Sequence, residues 1–283
     1  MRSRTLAAVL AASAALTWAP AAHAAETPVV STADVLPHLQ EFQRIADRNG
    51  GNRAHGTRGY QESLDYVKER LDEAGFRTSV EEFEHDGAKG YNLIADWPGG
   101  DEDQVVLLGA HLDSVPAGPG ISDNATGSAA ILATALAVSE ANPAPAKHLR
   151  FAWWGAEEPG LIGSAKYVAA RPPEELAKIA VYLNFDMTGS KGDRQWLVIH
   201  AGAPATDVFE RHFADQGIPT FDIGVGGSDH ESFDAAGVPV SGFTNGIGAC
   251  IHDACDTIDN VDPEAEVIST NAIIQAVWSV AGA

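Results

Sequence analysis

Apolar positions recur along this chain in two alternating rhythms. From Asp34 to Arg48 they fall three and four residues apart, as on one face of a helix, and the run stops at Gly50-Gly51. A second helix is expected after Thr57, a capping residue, with Tyr60, Leu64, Val67 and Leu71 on one face and Gly75 at its end. Short β-like runs follow at Phe76–Phe83, Tyr91–Trp97 and Val105–Ala110, and the unbroken apolar stretch Val105 to Leu108 suits a strand buried on both faces. The pattern then predicts helices at about Asn124–Ser139 and Leu161–Ala170, with strands at Leu149–Trp154 and Ile179–Phe185 between and after them. Further strands are expected at Trp196–His200, Phe221–Gly224 and Val238–Phe243, and helices near Thr206–Gln216, His230–Ala235 and Glu264–Val280.

Strands and helices alternating from end to end predict an α/β three-layer sandwich: a mixed, largely parallel sheet with helices on both faces. The sequence has no internal repeat and no low-complexity linker. Gly99-Gly100-Asp101-Glu102-Asp103 and Asn142-Pro143-Ala144-Pro145 read as turns, so one domain is expected over residues 25–283.

The rhythm fails only at the start. Arg2 and Arg4 precede an apolar run from Leu6 to Trp18, and Ala22-His23-Ala24 has the small-x-small form of a cleavage site, so residues 1–24 read as a secretory signal peptide. The run is shorter than the roughly 20 residues a membrane-spanning helix needs. An extracellular, soluble mature chain is expected. Its charge reinforces this. With 39 Asp and Glu against 18 Lys and Arg, the chain carries −21, which repels nucleic acid and anionic membranes and suits metal cations or cationic substrates. Removing the leader takes away two arginines and no acid, so the mature protein is more acidic still.

Cys250 and Cys255 are the only cysteines. In an exported chain the C-x4-C pair reads as a disulfide clamping the loop that holds His252. Redox pairs favour C-x-x-C, and no second pair completes a zinc site.

In open α/β sheets, ligands bind beyond the carboxyl ends of the strands. There the sequence places His111 and Asp113 after one strand, Glu157 and Glu158 after the next, Asp186 after a third, Asp123 at a helix start and His252 beyond the last strand. Each has an ordinary explanation alone, as a cap, a first-turn acid, a solvated strand end or a loop histidine. Together they concentrate negative charge that a cation must neutralise. Two histidines with three carboxylates suit zinc or a similar divalent ion and leave a fourth acid for proton transfer.

Gly50-Gly51-Asn52-Arg53-Ala54-His55-Gly56, Tyr91 to Pro98, Ala110-His111-Leu112-Asp113-Ser114, Trp153-Trp154-Gly155-Ala156-Glu157-Glu158 and Asn184-Phe185-Asp186-Met187 closely resemble the secreted actinomycete double-zinc aminopeptidases of metallopeptidase family twenty-eight. The resemblance runs from about residue 30 to the C-terminus. It implies that Asp123 bridges two zinc ions (Zn2+), His111 and Asp186 holding one, Glu158 and His252 the other. It also implies that Glu157 is the general base and then the acid toward the leaving amine, that Asp113 orients His111, and that the Asp123–Asn124 peptide is cis. The expected substrates are peptides with a free N-terminus, whose cationic amine the carboxylates hold. The chain is expected to act as a monomer, without nucleic acid or membrane partners.

Three departures limit what the resemblance carries. Ile251 stands where the relatives have an oxyanion-stabilising tyrosine, Gly227 where they have an arginine, and the loop leading to Cys250 is much shorter. A wider pocket and altered specificity, or lower activity on leucine substrates, are expected. The positions of the relatives' calcium ligands hold Val29, Val267 and Asn271, none with a carboxylate. His38, His85, His148 and His212 read as ordinary surface histidines and His230 as site wall, since three consecutive residues such as Ser228-Asp229-His230 cannot face one another as a triad. Two alternatives stand beside the aminopeptidase. One is a related zinc hydrolase or glutaminyl cyclase, which in this fold uses one metal; the other is a weakened, secreted metal-binding protein, against which the intact ligand set speaks.

Overall fold

The computed structural model describes residues 26–192, 194–200 and 202–283. The signal-peptide reading of residues 1–24 lies outside the described residues. Helices α1 (Thr32–Arg48) and α2 (Arg58–Glu73) open the chain, each started by a side-chain cap: Ser31 with Asp34 in a capping box, and Thr57, which accepts from the Tyr60 amide. Strands β1 (Arg77–His85), β2 (Ala88–Asp96) and β3 (Asp101–His111) lead through a π turn at Ile121–Ala125 into α3 (Thr126–Ala141). Then come β4 (Lys147–Trp154), α4 (Ile162–Ala169), α5 (Pro173–Leu176), β5 (Ile179–Phe185), β6 (Trp196–Ile199), α6 (Thr206–Asp215), β7 (Thr220–Gly224), α7 (His230–Ala235), β8 (Val240–Thr244), a 3₁₀ turn at Ile258–Asn260 and α8 (Pro263–Ala281).

The eight strands form one sheet in the order β1-β2-β4-β3-β5-β8-β6-β7. Its centre, β4-β3-β5-β8, is parallel; β1, β2 and β4 pair antiparallel at one side, and β6 runs against β8 at the other. The expected mixed, largely parallel sheet is what forms. β3 shows why its apolar run is unbroken: Val106, Leu108 and Ala110 join the core beneath α1, α2, α3, α6 and α8, while Val105 and Leu107 join a second core beneath α4 and α7. Burying each of these valine and leucine side chains is worth about 1.5–3 kcal/mol. α3 is apolar on nearly all sides because it lies against both the sheet and α8.

Three expectations need correction. β3 begins at Asp101, paired with Lys147, so Asp101-Glu102-Asp103 are strand rather than turn residues. The helix read from Asn124 begins at Thr126, because Asp123 and Asn124 are extended or bridge-region residues inside the preceding turn, and their peptide is cis. The Asn124 side chain takes the capping role, accepting from the Gly127 amide at 2.8 Å, which leaves the Asp123 carboxylate free. His38 and His148 are not surface residues. His148 lies on a strand, buried, with Nε2 2.8 Å from Asp96 Oδ1 and Nδ1 2.8 Å from the Gly99 carbonyl; His38 packs in the helical layer, 2.6 Å from the Tyr66 hydroxyl. Asn271 ties α8 to the segment before α1: its Oδ1 accepts from the Val30 N–H at 2.9 Å and its Nδ2 donates to the Val30 carbonyl at 3.0 Å, beside the exposed Val29.

Candidate active site

Three neighbouring parallel strands end on the same side of the sheet and deliver the candidate residues. β3 stops at His111, β4 turns through Gly155-Ala156 into Glu157-Glu158, and β5 is followed by Asp186. Ala156, Met187 and His252 hold positive φ angles of 55°, 56° and 58°, a conformation costly for residues with a Cβ, so the backbone is bent on purpose at each turn around the site. Asp123 arrives from the π turn and His252 from the loop after β8, closed by the Cys250–Cys255 disulfide.

These side chains converge in two sets that share Asp123. The Nε2 of His111 lies 3.2 Å from Asp123 Oδ1 and 3.5 Å from Asp186 Oδ1. The Nε2 of His252 lies 3.2 Å from Asp123 Oδ2 and 3.2 Å from Glu158 Oε2. Glu157 stands further off, with Oε2 4.0 Å from His111 Nε2. Ligands at about 2.0–2.2 Å on a tetrahedral zinc ion are about 3.3–3.5 Å from one another. The histidine–carboxylate distances of both sets are close to that spacing; ligand atoms of His111, Asp123 and Glu158, and of His111, Glu157 and Asp186, also lie within 4.8 Å of one another. Glu158 Oε1 and Asp186 Oδ1 are buried without a hydrogen-bond partner among the described residues, as expected of atoms shaped to hold a cation.

The electrostatics agree with the geometry. Burial pushes Glu157 up to about 10; His111 opposes this, and the carboxylates of Asp229, Asp186 and Asp113 add to it. Burial likewise raises Glu158 to about 8 and Asp229 to about 7. Burial would lower His111, but the surrounding carboxylates, Glu157 and Asp186 first, hold it well above its ordinary value. Burial would raise Asp123, yet hydrogen bonds to His111 and His252 keep its carboxyl low. So much crowded negative charge favours a dication, whose charge reverses the sign of the local field.

The surrounding residues hold these groups in register. The Asp113 carboxylate accepts from the Glu157 and Glu158 amides at 3.1 and 3.3 Å, whereas the His111 ring is met first by the Asp113 carbonyl at 3.2 Å. Asp113 therefore fixes the two-glutamate turn more directly than it orients the imidazole. Asn124 donates to the Phe185 carbonyl and accepts from the Met187 amide, bracketing Asp186 and joining it to the Asp123 turn. A Cβ at Gly127 would run into the Phe185 carbonyl, so α3 approaches β5 this closely only with glycine there. Arg53, fully buried, donates to the Leu112, Pro119 and Gly120 carbonyls and ties the end of β3 to the π turn. Arg53, Asn124 and Asp229 stand within stretches noted in the sequence, but no pattern there assigned them these roles. Asp229 shows neither oxygen paired among the described residues.

Beside the site opens a cavity of about 580 Å³, walled by Met187, Leu197, Ile199, Phe243, Ile223, Ile247 and Ile251. Ile251 thus lines the pocket, as its place before His252 suggested. Gly227 also lines it, with its amide donating to Glu231, so at this point of the rim the chain presents a carboxylate. The short loop before Cys250 leaves Ile247 65% exposed at the mouth. His230 forms part of the wall, as expected.

Residues 92–277 match Peptidase family M28. Leupeptin-inactivating enzyme 1 of Streptomyces exfoliatus is 46% identical over 94% of this chain and 66% of its own length. Leucine aminopeptidase 2 of Trichophyton rubrum is 36% identical over 66% of this chain and 44% of its own. The chain thus spans about two thirds of the first relative and under half of the second. Among solved structures, a zinc aminopeptidase from Bacillus subtilis aligns with a TM-score of 0.81 at 15% identity, covering 90% of this chain and 96% of its own. A glutaminyl cyclase from Porphyromonas gingivalis aligns with a TM-score of 0.77 at 19% identity, covering 88% and 98%. At such identities the likeness is one of fold.

Proposed function

The chain belongs to Peptidase family M28, and from that premise we propose that it is an exported, zinc-dependent aminopeptidase holding two metal ions and removing apolar N-terminal residues from peptides. The observation that carries this reading is the two-sided Asp123, whose oxygens each lie 3.2 Å from a different histidine. His111, Asp186 and Asp123 Oδ1 would hold one ion; His252, Glu158 and Asp123 Oδ2 the other. When bound, such a pair lowers the pKa of the attacking water and polarises the scissile carbonyl.

The remaining steps belong to side chains. Glu157, outside both ligand sets and facing the cavity, takes the proton of the attacking water on its carboxylate and returns it to the leaving amine. The free α-amine of the peptide is received within the same cluster, which restricts cleavage to the first residue. The apolar wall receives that residue's side chain by excluding water from it. Two supports favour export: the n-region, apolar run and cleavage signal of the N-terminus, and a disulfide of the kind that persists outside the cytoplasm. One zinc ion per chain at saturation would favour the glutaminyl cyclase reading instead.

The experiment is a zinc titration of chelator-stripped protein, monitored by release of the first residue from a leucine-initiated peptide. Activity is expected to reach its plateau at two zinc ions per chain. Full activity in the stripped protein, or a plateau with only one ion bound, contradicts the reading.

A further inference from the structure

The loop that carries His252 is the least embedded part of the ligand set. The His252 side chain is 56% exposed, against 1% for His111 on β3. The loop is held together largely by its own bonds: the Ile251 amide to Gly248, the Asp253 amide to Cys250, the Asp256 amide to Asp253, and the Cys250–Cys255 bridge. None of these fixes it to Asp123.

Asp256, buried, supplies that attachment. Its Oδ1 accepts from the Ser122 amide at 2.8 Å, its Oδ2 from the Asp123 amide at 2.9 Å, and its carbonyl from the Ile121 amide at 3.1 Å. Three consecutive N–H groups of the segment ending in Asp123 thus converge on one residue four positions after His252. Only a carboxylate can accept on both oxygens; an asparagine would turn an NH2 group toward a buried N–H.

We propose that Asp256 is a positioning residue that sets His252 opposite Asp123 Oδ2 and thereby governs the affinity of the metal held by His252, Glu158 and Asp123. The ion of His111 and Asp186 is affected less, because it depends on this loop only through the shared Asp123, whereas the other ion also takes His252 from the loop itself. The proposal rests on the two-metal reading above. Changing a residue that orients a metal ligand typically costs 10–100-fold in metal affinity. That loss is expected here for one ion of the two.

Competitive zinc titrations of the parent chain, Asp256→Asn, His252→Ala and the double variant test this. The parent should bind two ions. Asp256→Asn should weaken one binding step 10–100-fold and the other by clearly less, His252→Ala should abolish the same step, and Asp256→Asn added to His252→Ala should weaken the remaining ion no more than Asp256→Asn weakens it alone. Two unaltered steps in Asp256→Asn, or equal weakening of both, overturn the proposal while leaving the two-metal reading intact. A parent that binds one ion overturns that reading and this one with it. A measurement on the unaltered chain needs no variant to fold. Since coupling is reciprocal, filling the second site should slow hydrogen exchange at the Ser122 and Asp123 amides, and equal exchange in the one-ion and two-ion forms contradicts the tether.

Discussion

Glu157 and Glu158 are neighbours in sequence with different surroundings. Glu158 Oε2 comes within 3.2 Å of His252 Nε2, inside the spacing of shared metal ligands, while Glu157 Oε2 stays 4.0 Å from His111 and faces the cavity. In the proposed mechanism the first carboxylate therefore moves protons and the second holds metal. Glu157→Gln should lower kcat by about 10²–10⁴ with two zinc ions still bound, as zinc analysis alongside kinetics would reveal. A variant that loses metal in proportion to activity would make Glu157 a ligand instead. These chemistry-bearing residues were legible because each follows an apolar strand, where a carboxylate or imidazole stands out. Arg53, Asn124 and Asp256 were not, because they act on backbone N–H and C=O groups that every sequence has. An aspartate such as Asp256 in a Cys-Asp-Thr turn looks like any turn residue until its partners are known.

At the scale of elements, the strongly periodic segments were read within a few residues: β5 and α7 at their observed bounds, α1, α2 and α8 within two residues. The misses lie where side chains override pattern. The start of α3 moved because Asn124, not Asp123, caps it, and α5 is too short to leave a period. α8 also hides Glu266, wholly buried, with Oε2 accepting from Thr188 at 2.9 Å and Oε1 unpaired among the described residues. Burial pushes its carboxyl up to about 8, Thr188 opposing. Because the folded value exceeds the unfolded one, about 4.3 for a free glutamate, folding binds a proton between them. The stabilisation is complete below the lower value and disappears as pH rises through about 8. Glu266→Gln should therefore match the parent's melting temperature near pH 4 and melt higher above pH 8, where its stability advantage is on the order of a few kcal/mol. Parallel melting curves from pH 4 to 9 would contradict this.

Across the whole molecule, the sheet brings its parallel strand ends, the π turn and the disulfide loop to one side, so residues more than a hundred positions apart meet in one cluster of carboxylates and imidazoles. The fold class was legible from the alternation of strands and helices. The pocket was not, because its wall of Leu197, Ile199, Ile223, Phe243 and Ile247 comes from four separate segments whose meeting depends on β8 lying between β5 and β6. The acidity noted at the outset divides accordingly: Asp123, Glu157, Glu158 and Asp186 belong to the site, and most other carboxylates are solvated. The central claim, hydrolysis governed by recognition of a free α-amine, is tested most directly by mass analysis of products from one leucine-initiated peptide, free or N-acetylated, incubated with the zinc-loaded chain. Loss of the first residue from the free peptide, with the acetylated one intact, is the predicted result; cleavage of both at similar rates would contradict it.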